Sequence, residues 1–178
     1  MKNDIQEILL SAEEISSICQ KLGQQIEEDY RGKKPILVGL LRGCMPFMAD
    51  LAKCIHSYVY LDYMSVSSYE GTSSTGLIKI NKDVSMDVSG KDVIVIDDII
   101  DTGHTLKYIT KYFMDKGASS VKTCCLLDKP EGRKVDINAD YVGHIIPNEF
   151  VVGYGLDYDG LYRNLDIVGV LKPEVYSK

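Results

Sequence analysis

Three aspartates, two threonines and a glycine fall close together in VIVIDDIIDTGHTL, residues 93–106. Four apolar β-formers run into Asp97 and Asp98, two isoleucines follow, and Asp101 then leads into the turn Thr102-Gly103-His104-Thr105, after which a helical pattern begins. Ligands of an open parallel sheet sit beyond the carboxyl ends of its strands, and the three acids are expected just past the end of the apolar strand. The turn offers unpaired backbone N–H groups and two hydroxyls at the positive end of a helix dipole, a cradle for one phosphate. Acids beside an anion site conflict, because two unit charges ~6 Å apart repel by roughly 3 kcal/mol at an effective dielectric of ~20. A ligand bearing hydroxyls, a bound Mg²⁺ and a carbon that turns cationic during reaction would each favour the carboxylates. A phosphorylated sugar undergoing substitution at its anomeric carbon combines all three. A lone aspartate here would be a turn former or a helix cap; this spacing points to chemistry. No Walker lysine motif and no G-x-G-x-x-G occurs, so ordinary nucleotide hydrolysis and dinucleotide binding lose support.

The surrounding elements are legible from periodicity. Ser11 and Glu14 form a capping-box pattern, and Ile15, Ile18, Cys19, Leu22 and Ile26 follow at helical spacing. Residues 35–41 read as a buried strand, and Arg42-Gly-Cys-Met-Pro46 turns into a second helix with proline in its first turn. Residues 58–64 make another strand, residues 65–76 a small, polar surface loop, and residues 77–80 resume extended structure. Leu106, Ile109 and Phe113 share one helical face until Gly117, where a left-handed C-cap is needed. Residues 121–127 form the next buried strand, ending in Asp128-Lys129-Pro130, with shorter extended segments at 141–142, 151–152 and 167–171. Strands alternating with helices predict an α/β fold, a mainly parallel sheet with helices on both faces.

The whole-chain properties narrow the function classes. At 178 residues, 45% of them hydrophobic, the chain suits one well-buried core. A formal charge of -6 argues against binding nucleic acid or a membrane surface, since both need a basic face. No apolar run approaches the ~18 residues of a membrane span, and the N-terminal stretch has no uninterrupted apolar core, so a cytoplasmic location is expected. The five cysteines include no C-x-x-C pair, adjacent Cys124 and Cys125 should face opposite sides of a strand, and His56, His104 and His144 lack zinc spacing.

The stretch IVIDDIIDTGHT resembles the phosphoribosyl pyrophosphate loop of type I phosphoribosyltransferases. Gly39-Leu-Leu-Arg-Gly43, Ser68-Tyr69, Leu126-Leu-Asp-Lys129, Phe150-Val-Val-Gly-Tyr-Gly-Leu-Asp157 and Arg163 are similar in order and spacing to hypoxanthine-guanine phosphoribosyltransferases, a likeness covering roughly residues 36–171. It implies the type I fold: a twisted, mainly parallel sheet flanked by helices, with a small hood over the C-terminal ends of the strands. Residues 1–178 would then be one domain, with a core of about 30–145 and a hood from the N-terminal segment and about 146–178.

The resemblance also implies a reaction: Mg²⁺-dependent transfer of 5-phosphoribose from phosphoribosyl pyrophosphate to hypoxanthine or guanine, giving IMP or GMP and pyrophosphate. Asp101, Thr102, Gly103, His104 and Thr105 would hold the 5-phosphate, and Asp101 would also accept the proton lost from the purine imidazole ring. Asp97 and Asp98 would face the ribose hydroxyls directly or through magnesium. Where the family usually has Glu-Asp this chain has Asp97-Asp98, which shortens the first carboxylate's reach. Arg42, Gly43 and Arg163 would bind pyrophosphate, and the peptide before Arg42 is often cis in relatives. Lys129, a donor with no acceptor, would meet the 6-oxo group and reject adenine's amino group. Phe150 would stack on the base, Val151 would offer backbone groups to its edge, and Asp157 would hold a second magnesium. Ser68 and Tyr69 would belong to a lid that excludes water. Relatives are dimers or tetramers, so a homo-oligomer is expected. Two alternatives stay open: a non-enzymatic, nucleotide-sensing RNA regulator of the same fold, which would need a basic face, and a phosphoribosyltransferase for another base such as xanthine, orotate or uracil.

Overall fold

The computed structural model describes residues 1–68 and 78–177. Its main sheet has six strands in the order β4-β3-β2-β5-β6-β7. These are β2 (Ile36–Leu41), β3 (Tyr60–Ser68), β4 (Ile78–Lys82), β5 (Asp92–Ile100), β6 (Ser120–Asp128) and β7 (Tyr141–Ile145). All neighbours run parallel except the β3–β4 hairpin. Helix α1 (Ala12–Asp29) and helix α2 (Met45–Lys53) cover one face and α3 (His104–Asp115) the other. Strand alternation assigns each side chain its layer. Leu37, Ile94, Ile96, Cys124 and Leu126 pack with Ile15, Leu22 and Ile26 of α1 and Phe47 and Leu51 of α2. Ile36, Val38, Val93, Val95 and Cys125 pack with Leu106, Ile109 and Phe113 of α3. The two adjacent cysteines accordingly face opposite layers.

The helix signals are realised in detail. Ser11 Oγ accepts the Glu14 N–H at 3.2 Å while Glu14 Oε2 accepts the Ser11 N–H at 2.8 Å, closing the capping box that starts α1. Gly117 takes φ 86°, and the bond from Ala118 N–H to Phe113 O ends α3 as a left-handed cap should.

A second, antiparallel sheet joins β1 (Ile5–Leu10), β9 (Val168–Leu171) and β8 (Val151–Val152). Of the N-terminal segment only β1 enters this sheet; α1 lies on the main one. A short C-terminal helix, α4 (Pro173–Tyr176), follows β9.

Two differences from the sequence reading bear on the site. β5 runs on through Asp97 and Asp98 to Ile100, because Asp97, Ile99 and Ile100 pair with Cys125, Leu127 and Asp128 of β6. The two acids therefore sit within the strand, not beyond it. β3 continues to Ser68, past the expected loop start, because its small polar residues pair with β4, Val66 with Ile80 and Ser67 with Lys79. Tyr69 and the rest of the expected lid, through residue 76, lie outside the described residues, as does residue 77.

The strand order fixes where a ligand can sit. From β2 the chain steps to β3 on one side, while β5, β6 and β7 proceed on the other, so the order reverses between β2 and β5. The crevice outside the strand ends at such a reversal is the ligand site of open α/β sheets. Here it is flanked by the turns that follow Leu41 and Ile100.

Candidate active site

Asp101 is the first residue off β5. Gly103 follows at φ 84° as the N-cap of α3, a left-handed conformation glycine adopts without a Cβ penalty. A Cβ there would also press on Ile137 and Arg133. The first N–H groups of a helix have no partner within it, and no described residue accepts the backbone N–H of Thr102, Gly103, His104 or Thr105. Thr102, Gly103 and Thr105 border a cavity of about 110 Å³ that Asp97, Ile99, Ile100, Asp101 and Leu106 also line. His104 is exposed and its side chain is not part of that lining. A roomier groove of about 530 Å³ lies elsewhere, bordered by Gln24, Glu27, Lys53 and His56, and holds none of these residues.

Asp97 and Asp98 lean to different sides. Asp97 lines the cavity of about 110 Å³. The Asp98 carboxylate occupies the space that a side chain on Gly43 would need, which brings the β2–α2 turn against the end of β5. Asp98 N–H donates to Asp97 Oδ1 at 3.1 Å and Ile99 N–H to Asp98 Oδ1 at 2.9 Å. Both side chains are only partly exposed. Burial, and then the neighbouring Asp98, raises the Asp97 pKa well above the usual carboxylate range. Burial also raises Asp98, opposed by its hydrogen bonds and by the positive charge of Arg163. An acid pair held this way is poised to be relieved by positive charge.

On the β6 side, Lys129 Nζ lies 3.3 Å from Asp101 Oδ2, with the lysine side chain 11% exposed and the aspartate 45%. A 3-10 turn over Pro130–Gly132 follows and clasps the turn between β5 and α3. Lys129 N–H donates to Ile100 O and Lys134 N–H to Thr102 O, both at 3.0 Å. Gly132 abuts Asp101 so closely that a Cβ would fall on Oδ1. Arg133 donates to the carbonyls of Ile100 and Asp101 and pairs with Asp128. Sequence reasoning missed Arg133, because a charged residue in a Pro/Gly turn after a strand reads as solvated surface.

The segment after β8 packs against the β2–α2 turn. The Leu41-Arg42 peptide is cis, Arg42 is exposed, and Gly155, at φ 103°, lies against the Gly43 carbonyl. Arg163 donates to Gly155 O at 2.5 Å and pairs with Asp157 Oδ1 at 2.5 Å, while Asp157 Oδ2 accepts Gly160 N–H at 2.8 Å. Tyr154, also missed, is buried, and its hydroxyl donates to Asp50 of α2 at 2.6 Å, tying the 153–157 loop to the helix that follows Gly43. Val151 is buried in β8, and Phe150 just before it is 40% exposed. The Phe150 ring packs against those of Tyr158 and Tyr176.

Residues 6–159 match the model of the phosphoribosyl transferase domain. The chain belongs to the phosphoribosyltransferase family. Within that family it is 55% identical over 178 residues to a hypoxanthine-guanine phosphoribosyltransferase of Streptococcus pneumoniae, covering 99% of each chain. It is 56% identical over 179 residues to one of Streptococcus agalactiae, covering 100% of this chain and 99% of that one. A crystal structure of a hypoxanthine phosphoribosyltransferase from Staphylococcus aureus superposes with a TM-score of 0.97 at 52% identity, covering 100% of this chain and 97% of the other. In this phosphoribosyltransferase, then, Asp97, Asp101, Thr102, Gly103 and Thr105 share one cavity, Lys129 joins them through Asp101, and Arg163 gathers Asp157 and Gly155.

Proposed function

We propose that the protein transfers 5-phosphoribose from phosphoribosyl pyrophosphate to hypoxanthine or guanine, yielding IMP or GMP and pyrophosphate in purine salvage. The observation that carries this reading is the Lys129–Asp101 pair, 3.3 Å apart at the edge of the phosphate cradle. O6 and N7 of a 6-oxopurine lie side by side on one edge of the base. A lysine donor beside a carboxylate acceptor matches an oxo group next to a protonated ring nitrogen, and cannot satisfy adenine's amino group.

The residues divide the chemistry. Amides and hydroxyls of the 102–105 turn hold the 5-phosphate, and Asp97 and Asp98 face the sugar. As the purine nitrogen bonds to the anomeric carbon, the bond to pyrophosphate breaks and pyrophosphate leaves with the electron pair. The proton shed by the imidazole ring passes to Asp101. Positive charge grows on the sugar during this exchange, so the acids help more in the transition state than before it. Gly43, Arg42 and Arg163 receive the pyrophosphate, and Phe150 and Val151 line the base.

The donors fit Mg²⁺. They are hard carboxylate oxygens, and among the described residues no group of three metal-ligating side chains forms a closed cage, which suits an ion that keeps waters and substrate oxygens beside one or two carboxylates. Asp97, Asp98 and, on the pyrophosphate side, Asp157 would hold it, and when bound it supplies positive charge against the leaving group. We read the chain as one unit with its hood, acting in the cytoplasm as a homodimer or homotetramer. Exposed Tyr58 and Leu61, at 80% and 49%, supply apolar surface for such assembly. Pyrophosphate release from phosphoribosyl pyrophosphate should be measured with hypoxanthine, guanine, xanthine, adenine, uracil and orotate, with and without Mg²⁺. Release only with 6-oxopurines and Mg²⁺ is expected; release that ignores the base would overturn the reading.

A further inference from the structure

Phe150 sits between β7 and β8 with 40% of its surface exposed, yet its ring is not loose. Tyr176, in α4, lies 4.9 Å from it centroid to centroid and 28° from parallel, covering one face. Tyr158 meets Phe150 edge-on at 5.8 Å and 86°, and Tyr176 at 6.4 Å and 66°, so the three rings form one cluster. The backbone reinforces the arrangement. Leu171 N–H donates to Phe150 O at 2.9 Å at the end of β9, and Lys172 N–H, at the start of α4, donates to Asp4 O at 2.9 Å. The C-terminal helix is thereby held behind Phe150 by the same strand that anchors the Phe150 backbone.

Beside these contacts Phe150 keeps 40% of its surface exposed and open to a flat partner. Fixing that ring beforehand removes ordering that binding would otherwise have to supply. We propose that Tyr176 is a positioning residue for the purine: it packs behind Phe150 and holds that ring as the platform on which the base stacks. This rests on the reading that Phe150 stacks on the base. Tyr176 itself never touches the substrate; it acts through Phe150.

The test compares Phe150→Ala, Tyr176→Ala, Tyr176→Leu and Tyr176→Phe by steady-state kinetics, varying hypoxanthine and phosphoribosyl pyrophosphate separately, with thermal melts of each. Tyr176→Ala should raise the KM for hypoxanthine about 2- to 10-fold, the weight of one aromatic pair. Its kcat and its KM for phosphoribosyl pyrophosphate should stay near wild type, and Tyr176→Phe should restore the hypoxanthine KM. Tyr176→Leu, which keeps apolar bulk without a ring, tests the same point if the alanine variant folds poorly, and should also raise that KM. If Phe150→Ala raises the hypoxanthine KM but neither Tyr176→Ala nor Tyr176→Leu does, the inference is overturned while base stacking stands. Equal changes in both KM values with a lowered melting temperature would overturn it too, marking a structural role. If Phe150→Ala leaves the hypoxanthine KM unchanged, the stacking reading falls and the inference with it.

Discussion

Replacing Lys129 with methionine removes one ammonium group while leaving a flexible side chain of similar reach. The Lys129 side chain is 11% exposed and that of Asp101 45%, so water can reach Asp101 once its partner is gone. The pair then counts as a partly exposed ion pair, worth about 0.2–1 kcal/mol to stability. With a substrate present the loss is larger, because a hydrogen bond from a charged donor contributes about 1.5–3 kcal/mol. Divided by about 1.4 kcal/mol per tenfold, that is a fall of about 10- to 150-fold in kcat/KM for hypoxanthine. The KM for phosphoribosyl pyrophosphate should move less than about 3-fold, since the proposed phosphate cradle is built from backbone groups that the substitution leaves in place. Adenine, which gains nothing from the lysine, should lose far less, so the preference for hypoxanthine narrows. Pyrophosphate release with each base, varied at saturating donor, reads all three quantities. Equal losses for hypoxanthine and adenine, or wild-type values for both, would refute the assignment of Lys129 to the 6-oxo group.

Asp101→Asn should lower kcat about 10²- to 10⁴-fold, the usual worth of general base catalysis, and single-turnover rates should show the loss in the chemical step with the melting temperature little changed. Asp97→Asn should stabilise the unliganded protein while impairing catalysis. Burial beside Asp98 raises the Asp97 pKa above its unfolded value, so its contribution to stability is full below the ordinary carboxylate range and is lost as pH rises through the raised value. The variant's melting temperature should therefore exceed wild type at pH 7.5 and converge with it near pH 4. Arg133→Lys keeps a charge near Asp128 but cannot span the carbonyls of Ile100 and Asp101; the KM for phosphoribosyl pyrophosphate should rise about 10-fold, one to two such bonds, with a smaller change for hypoxanthine.

What the sequence made legible follows the range of the interactions involved. The capping box at Ser11 and Glu14, the Leu106-Ile109-Phe113 stripe and the Gly117 cap are set by neighbours within a few residues, and each stands in the structure where periodicity placed it. The Asp101–Thr105 turn at the start of α3 was legible for the same reason, since its glycine and hydroxyls lie within a few residues. Long-range partners hid the rest. β5 carries its acids inside the strand because β6 extends alongside it, and Ser65 to Ser68 become strand because β4 returns to pair with them. β1, absent from the sequence reading, exists through its pairing with β9, more than 150 residues away in the chain. Arg133 and Tyr154 escaped notice because their value lies in distant carbonyls and in Asp50, none of which a local pattern reveals.

The most direct test of the account is a crystal structure of the protein with GMP bound. The 5-phosphate is expected within hydrogen-bond distance of the backbone N–H groups of residues 102–105, with purine O6 against Lys129 Nζ, N7 facing Asp101 and the base over Phe150. A nucleotide lodged elsewhere, or seated with its base turned away from Lys129 while the phosphate lies outside the 102–105 turn, would contradict it.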